Sequence, residues 1–549
     1  MKNFLLRRWT TMAALAGLGM LSPACSLDKE PFYEKTPTQI FSNFENYPGL
    51  LAKVYAGLAT SGQTGPSGSG DLKGLDEGFG QYTRALYNCQ ELTTDEAVVA
   101  WNNDAGLIDM HYMTWNAGNQ FPRSMYNRIF YQIALCNEFL RQTTDSKLST
   151  NGINGANAEL TKKYRAEARL LRALSYWHAI DMFGNVPFVT ENDEVSGAFK
   201  PRQGSRAELF NYVESELLDL GADNNPLLPD AHTAEYGRAD KGLAWMILAK
   251  LYLNAQVYID QPKNTECLTY CKKLIAANYR LSPNTSATQV DGYRKLFLAD
   301  NNTSPETIFA VPFDGLNTQT YGGTTFLING SLGGSIGGQQ ALRVFGTQGT
   351  WAGLRTTKQL INKFPDTTQA GPDKRFLFHS LRQTLEIGAV TTFTQGYMFK
   401  KWRNVTSTGA AGSNATNSFA DTDLPLFRLA DVYLMYAEAV LRGGAGGNPT
   451  DALSYVNAVR QRAYGNASGN ISSSQLTLDF LLDERARELY SECHRRTDLI
   501  RFGKFTSNYN WAWKGNVAAG QNVESFRVLY PLPNADLAVN PNLLQNTGY

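Results

Sequence analysis

Apolar residues recur every three or four positions along several long stretches of this chain, the spacing that places them on one face of an α-helix. The pattern predicts helices over residues 160–182, 240–258, 424–442 and about 476–501. Gly184 follows the first stretch and Gly443 the third, where glycine commonly ends a helix. Because these helical signals dominate, we predict a mainly α fold.

The second predicted helix carries the pattern of a tetratricopeptide repeat. Four residues stand where such repeats place Trp, Leu, a small residue and Tyr: Trp245, Leu248, Ala249 and Tyr252. A partner helix is predicted over residues 265–277, and residues 433–442 and 450–462 have a similar paired layout. Small residues at the contacts let two helices approach closely, so we expect helix pairs stacked into a curved array.

The first residues are typical of an export signal. Arg7 and Arg8 help to give a positive start, and the apolar run over residues 11–21 is too short to cross a bilayer. Ala24 ends a small-residue site that Cys25 follows directly, as in a bacterial lipobox. We predict a signal peptide over residues 1–24, lipidation at Cys25 and a polar tether over 25–40. The alternative is an ordinary secretory signal with an incidental cysteine.

Composition narrows the functional classes. There are 51 Lys plus Arg against 50 Asp plus Glu, giving a net charge of +1, so nothing indicates a nucleic-acid partner. A mature chain of about 525 residues is too long to fold around one ordinary hydrophobic core, which predicts two subdomains or a repeat array. The 27 Tyr and 9 Trp are a generous supply for a binding surface.

No residue set predicts a metal site, a cofactor or a catalytic centre. The five histidines are too far apart for ligand spacing: His111, His178, His232, His379 and His494. Cys267 and Cys271 are interpreted as core thiols on one helix face. Ser335 lies in a Gly-x-Ser-x-Gly string without the strand and helix that a nucleophile elbow needs, so a flexible loop is predicted.

The richest charged cluster begins at Asp483. Glu488 and Glu492 share a helix face, which is one requirement of a glycosidase carboxylate pair. Arginines three and four positions away would lower the pKa values of these carboxylates, the wrong direction for a general acid. We therefore predict an ion-pair lattice that locks helices together.

Long polar segments separate the helices, at residues 60–80, 315–349 and 406–423, and aromatic residues lie in or near them. Sugar rings stack their apolar faces on Trp and Tyr, and their hydroxyls need amide and carboxylate partners. The candidate ligand-binding residues are Tyr82, Arg84, Trp101, Asn102, Asp104, Trp115 and Tyr321. Trp351, between Gly349 and Gly353, is interpreted instead as part of a structural turn.

Six ordered motifs resemble the SusD/RagB family of surface lipoproteins. The motifs span residues 164–173, 183–189, 237–253, 428–439, 484–501 and 530–549. The last of them runs from Tyr-Pro-Leu-Pro to Asn-Thr-Gly-Tyr. The resemblance implies about four tetratricopeptide-like helix pairs and long irregular loops that form a ligand-binding face. It also implies an N-terminal region over 41–300 and a C-terminal region over 301–549.

The same resemblance implies a non-enzymatic role at the outer membrane, where the protein delivers an oligosaccharide to a SusC-like TonB-dependent transporter. Trp101 and Asn102 lie in a segment similar to the one where starch-binding members place a stacking Trp and a polar neighbour, and Tyr321 lies in a loop similar to their second contributor. Peptide capture, as in the RagB branch, is the alternative, and a lipoprotein glycosidase is a third hypothesis.

Overall fold

The computed structural model describes residues 37–368 and 370–549. The predicted signal peptide, Cys25 and most of the tether lie outside the described residues. Helix accounts for 46% and strand for 6%, which confirms the mainly α prediction. Among the described helices, none combines the length and the apolar character that crossing a bilayer requires.

Most of the regular elements in the first half of the chain are helices. Its helices are α1 (Pro37–Phe41), α2 (Tyr47–Ala59), α3 (Tyr82–Gln90), α4 (Leu107–Tyr112), α5 (Gln120–Gln142), α6 (Asp145–Thr150), α7 (Gly155–Met182), α8 (Arg206–Leu220), α9 (Lys241–Leu253), α10 (Ala255–Ile259), α11 (Asn264–Ala276) and α12 (Gly292–Lys295). Its strands are β1 (Val98–Val99), β2 (Val186–Pro187) and β3 (Gln203–Gly204).

The second half alternates short strands with helices. The strands are β4 (Thr307–Val311), β5 (Leu354–Thr356), β6 (Phe378–His379), β7 (Tyr397–Phe399) and β8 (Leu424–Arg428). The helices are α13 (Gly323–Ser331), α14 (Gly338–Phe345), α15 (Lys358–Ile361), α16 (Leu429–Leu441), α17 (Pro449–Tyr464), α18 (Leu478–Leu489), α19 (Arg495–Arg501) and α20 (Asn534–Val539).

The long helices stack in succession as the repeat pattern predicts. Helix α5 packs on α7, α7 on α8, α8 on α9, α9 on α11, α11 on α16 and α16 on α17. Ala244 and Ala249 of α9 are fully buried, so the small side chains do allow close helix contacts. The indole N–H of Trp245 donates to the carbonyl of Gly221 at 2.7 Å, just after the end of α8. The packing of α11 on α16 joins the two predicted regions across residue 300, and the division there stays a prediction.

Three element predictions need correction. Residues 424–428 are strand β8, because they pair with β4, and helix α16 begins only at Leu429. The stretch 476–501 is two helices, because the chain breaks between them with Ser491 and Cys493 at positive φ. The loop over 315–349 contains α13 and α14, so Ser335 lies in a short link between two helices.

Small sheets fix the loops against this helical body. One sheet has the strand order β1-β5-β7-β6, and its β1–β5 pairing is antiparallel, with Val98 opposite Arg355 and Val99 opposite Leu354. Antiparallel pairing brings the residues after one strand next to those before the other. The loop after β1 and the loop before β5 therefore lie side by side, although about 250 residues separate them in sequence.

Contacts between residues 95–115 and residues 495–549 hold the N-terminal and C-terminal segments together. Asp95 pairs with Arg495 at 2.6 Å, and the ring of His111 hydrogen-bonds to the carbonyl of Ala512 at 2.9 Å. The indole N–H of Trp115 donates to the hydroxyl of Tyr549, the last residue, at 2.7 Å. The C-terminal segment therefore completes the packing of the N-terminal one.

Candidate functional site

Three aromatic side chains form a row where the loops meet. The ring centroids of Trp101 and Trp351 are 6.4 Å apart, and those of Trp351 and Tyr321 are 6.2 Å apart. Both tryptophans are half-buried and Tyr321 is 37% exposed, so each retains accessible ring surface. We call Trp101, Trp351 and Tyr321 the aromatic row.

The strand pairing positions the two tryptophans. Trp101 follows β1 and Trp351 precedes β5, and the pairing continues past the strands where the N–H of Ala100 donates to the carbonyl of Gly353 at 2.9 Å. The indole N–H of Trp101 donates to the carbonyl of Trp351, also at 2.9 Å. A Cβ on Gly353 would lie 2.5 Å from the ring of Trp101, so the absence of a side chain there lets the indole approach.

Helix α13 holds the rest of the row. Tyr321 lies just before its first residue, and the N–H of Trp351 donates to the carbonyl of Asn329 near its C-terminal end at 2.9 Å. Phe326, on the same helix, packs behind Trp101 with 6.1 Å between ring centroids. One helix therefore sets the positions of all three rings.

Arg84 ties Trp101 to Tyr321 from behind the row. Its guanidinium lies over the rings of Phe326 at 4.3 Å and Trp101 at 5.6 Å, and donates to the carbonyl of Tyr321 at 2.9 Å. Burial lowers the pKa of Arg84 to about 10, against the opposing effect of Asp76 and Asp104. The arginine stays charged at neutral pH and links Trp101 to Tyr321 through these contacts.

Polar groups flank the rings. Asn102 is exposed and Asp104 half-buried in the loop after Trp101, and Gln120 of α5 holds that loop by donating to the carbonyl of Ala105 at 2.7 Å. On the other side, the hydroxyl of Ser67 donates to that of Tyr321 at 3.3 Å. Ring faces edged with hydroxyl, amide and carboxylate groups match the amphipathic surface of a sugar.

Two candidate ligand-binding residues lie elsewhere. Tyr82 is 1% exposed, and its hydroxyl hydrogen-bonds to Nδ1 of His178 at 2.8 Å inside the core. Trp115 is also 1% exposed, with its ring 4.9 Å from that of Tyr530. Both rings are enclosed by protein atoms, so we remove Tyr82 and Trp115 from the set and assign them to packing.

The structure adds one aromatic residue that the sequence interpretation placed in a structural turn. Trp351 does lie in a turn, but its ring stands between Trp101 and Tyr321. Its location between Gly349 and Gly353 could have indicated this role, because a ring in a glycine-flanked loop is more accessible than a ring on a packed helix. Phe419 also contributes, because its ring supports Tyr321 at 5.5 Å.

The charged cluster is an ion-pair lattice, as predicted. Glu488 is fully buried and accepts from Arg428 at 2.6 Å, from Arg375 at 3.2 Å and from Arg462. Glu492 pairs with Arg428 at 2.7 Å. Burial alone would raise the pKa of Glu488, but the three arginines overcome it and hold this pKa at about 2.

Other groups with reactive side chains are also structural. Cys267 and Cys271 are buried and free, with sulfurs 3.9 Å apart. Across the described ranges, no grouping of three or more His, Cys, Asp or Glu side chains could hold a metal ion. We therefore take the aromatic row as the candidate ligand-binding surface.

The chain is similar to several known proteins. A model described as the SusD family matches residues 382–549. The starch-binding protein SusD of Bacteroides thetaiotaomicron is 34% identical, covering 98% of this chain and 98% of its own length. A solved SusD homologue of the same organism has a TM-score of 0.69 at 18% identity, covering 94% of this chain and 99% of its own.

A second solved structure carries a bound sugar. Surface glycan-binding protein A of Bacteroides thetaiotaomicron, in complex with laminarihexaose, has a TM-score of 0.65 at 18% identity. The match covers 91% of this chain and 99% of that one. At this identity the likeness concerns the fold alone.

Proposed function

The chain belongs to the SusD family, and from that premise we propose that it is a cell-surface lipoprotein that binds a starch-type α-glucan through the aromatic row. The bound oligosaccharide then passes to a TonB-dependent transporter of the outer membrane. The observation that carries the proposal is the row itself, with its three accessible rings and its polar edges.

The relative orientation of the rings favours a curved glycan. The planes of Trp101 and Trp351 meet at 50°, and those of Trp351 and Tyr321 at 62°. A straight ribbon of sugars cannot lie flat on three rings that turn this much, whereas a glycan whose backbone curves can. α-1,4-linked glucose coils in this way, and the 34% identical relative is named as starch-binding.

Several features support binding without hydrolysis. A glycosidase needs two carboxyl groups that flank the sugar bond, one of them with a raised pKa. Glu488 is fully buried with its pKa held low, so it can neither reach a glycan nor donate a proton near pH 7. The candidate ligand-binding set contains a single carboxylate, Asp104, so it does not supply the two carboxyl groups that hydrolysis needs. Incubation with maltoheptaose should therefore leave the sugar intact by chromatography, and shorter products would overturn this part of the proposal.

The membrane part of the proposal rests on the sequence. Cys25 follows a signal-type segment, and a diacylglyceryl group there would hold the protein at the membrane surface, since each buried methylene is worth about 0.8 kcal/mol. Copurification of the full-length protein with a TonB-dependent transporter from solubilised outer membranes is the expected result. A protein that elutes alone after mild crosslinking in intact cells would contradict the delivery role.

Calorimetry with matched variants tests the binding role. Maltoheptaose should bind, and Trp101→Ala, Trp351→Ala or Tyr321→Ala should each weaken binding tenfold or more, because burial of one ring face against a sugar is worth about 1.5–3 kcal/mol. Trp513→Ala is the control, since this half-buried indole also donates to a backbone carbonyl, that of Ile387. The control should bind like the wild type.

The choice of ligands separates the alternatives. Cellohexaose is a straight β-1,4 chain, and equal binding of it would overturn the starch-type assignment but keep glycan binding. Binding of mixed peptides, without binding of any glycan, would overturn the proposal in favour of peptide capture. Unchanged maltoheptaose affinity in all three row variants would mean that the glycan binds at another part of the protein.

A further inference from the structure

A polar cavity of about 380 Å³ opens between strand β4 and the loop that leads into helix α9. The loop contributes residues between 232 and 240, and the facing wall consists of residues between 302 and 310, from the turn before β4 and from the strand itself. None of the three residues of the aromatic row lines it. Its volume is at the small end of the range of ligand sites, about 300–1,000 Å³. The cavity is therefore large enough for a small ligand and separate from the row.

The charged side chains of the lining already have partners. The guanidinium of Arg238 donates to Glu167 at 3.1 Å and lies 3.9 Å from Glu235. The carboxylate of Asp240 accepts from the N–H of His232 at 2.7 Å and caps the first turn of α9. Because these charges are engaged within the protein, the cavity does not favour an ionic ligand.

Several neutral polar groups of the lining are free, by contrast. Within the described ranges, the amide of Asn302 and the hydroxyl of Thr307 form no hydrogen bond. Tyr279 is 4% exposed, and its hydroxyl likewise has no partner among the residues that the structure describes. The N–H of His232 faces this hydroxyl but donates to Asp240. A buried hydroxyl without a partner is unfavourable, so a ligand that bonds to it gains free energy.

Two rings give the cavity accessible apolar surface. Tyr236 is 40% exposed, and its hydroxyl donates to Asp423 at 2.7 Å, which fixes the ring in position. The exposed imidazole of His232 stacks on Tyr279, with 4.5 Å between the ring centroids and 26° between the planes. Tyr279 thus covers one face of the imidazole and leaves the other accessible. Ring faces beside amide and hydroxyl groups match a sugar, which has an apolar face and a rim of hydroxyls.

We propose that this cavity is a second glycan-binding site, which takes a short stretch of a neutral glycan. The sugar lies against the rings of Tyr236 and His232. Its hydroxyls bond to Asn302, Thr307 and Tyr279. The choice of a sugar among neutral polar ligands rests on the glycan-binding function proposed above. A glycan long enough to reach both sites would dissociate more slowly than one held at the row alone.

Saturation-transfer NMR of the whole protein, which detects weak sugar binding, tests the site. Maltotriose and cellotriose are the probes. The variant Trp101→Ala/Trp351→Ala disables the row, so a sugar signal that survives in it comes from another site. We expect this signal to survive and to disappear when Tyr236→Ala is added. Tyr455→Ala is the control addition, since this half-buried tyrosine of α17 lies outside the cavity, and it should leave the signal unchanged.

Two further variants separate a binding role from a structural one, both in the protein with the disabled row. Tyr236→Phe keeps the ring and loses only the hydrogen bond to Asp423, so it should retain the sugar signal. Asn302→Ala, at an exposed position, should weaken binding of the sugar up to about tenfold without lowering the melting temperature. Loss of the signal in Tyr236→Phe, or unchanged affinity in Asn302→Ala, would overturn the arrangement.

The two glycan proposals fail in different ways. A wild-type signal that vanishes completely when the row is disabled would leave the row as the single glycan site and overturn the second one. A signal that is unchanged when the row is disabled, and that Tyr236→Ala removes, would keep the cavity and overturn the row. No transfer to either sugar in the wild type would overturn both.

Discussion

Glu488→Gln should destabilise the protein markedly at neutral pH, although the two side chains have nearly the same shape. Glu488 is fully buried in the ion-pair lattice, where Arg375, Arg428 and Arg462 all contact its carboxylate. The amide keeps the volume but removes the charge. The three guanidinium groups then stay buried with less compensation, which is the costly way to break a buried ion pair.

Two routes give the size of this effect. Removing one partner of a buried pair typically costs about 3–5 kcal/mol. Independently, a pKa of about 2 for Glu488, against about 4.3 in an unfolded chain, corresponds to about 3 kcal/mol of stability at pH 7. Unfolding of roughly 500 residues has an entropy of about 1 kcal/mol per kelvin, so the melting temperature should fall by about 3–5 °C.

The pH dependence gives a sharper test. Because the folded pKa of Glu488 is depressed, its stabilisation is present above about pH 4.3 and is lost as the pH falls toward 2. The calorimetric difference between wild type and Glu488→Gln should therefore be full at pH 7 and shrink below pH 4. Glu138→Gln, which breaks a half-exposed pair with Arg141, is the control and should shift the melting temperature by less than 1 °C. A difference below 1 °C at pH 7, or one that persists unchanged at pH 3, would refute the reasoning.

Three further predictions follow from single contacts. Gly353→Ala should weaken maltoheptaose binding at least tenfold in calorimetry, because its Cβ would lie 2.5 Å from the ring of Trp101; unchanged affinity would mean that the ring adapts. Trp115→Phe should lower the free energy of unfolding in denaturant titration by about 1–3 kcal/mol, because the hydroxyl of Tyr549 loses its buried donor; a loss below 0.5 kcal/mol would assign that hydrogen bond little value. Cys25→Ser should move the protein from the membrane to the soluble fraction, and retention would indicate another tether.

The helical hairpins were predictable because their signal is local. Apolar spacings of three and four residues within α7, α9 and α16 mark these stretches as helices, whatever lies elsewhere in the chain. The break between α18 and α19 has no such signal. Ser491 takes a positive φ because distant groups hold it there, with its N–H donating to Glu96 at 3.0 Å. Such a partner, 395 residues away, is invisible to any local pattern.

The aromatic row was half predictable for the same reason. Trp101 and Tyr321 stand out because polar or glycine-rich residues surround them. Trp351 has an equally suggestive context, but its role depends on the pairing of β1 with β5, which brings it to Trp101. Tyr82 and Trp115 show the converse error, since closeness in sequence to Trp101 says nothing about which way a ring points.

The contacts between early and late residues constrain the order in which the chain can fold. Asp95 pairs with Arg495, 400 residues later, and Trp115 donates to Tyr549, 434 residues later. At about 5–20 residues per second, synthesis of 400 residues takes about 20–80 seconds. During that interval the first helices exist without their final partners. The packing around Asp95 and Trp115 therefore cannot be completed before residues 495 and 549 have been synthesised, so this part of the fold forms late.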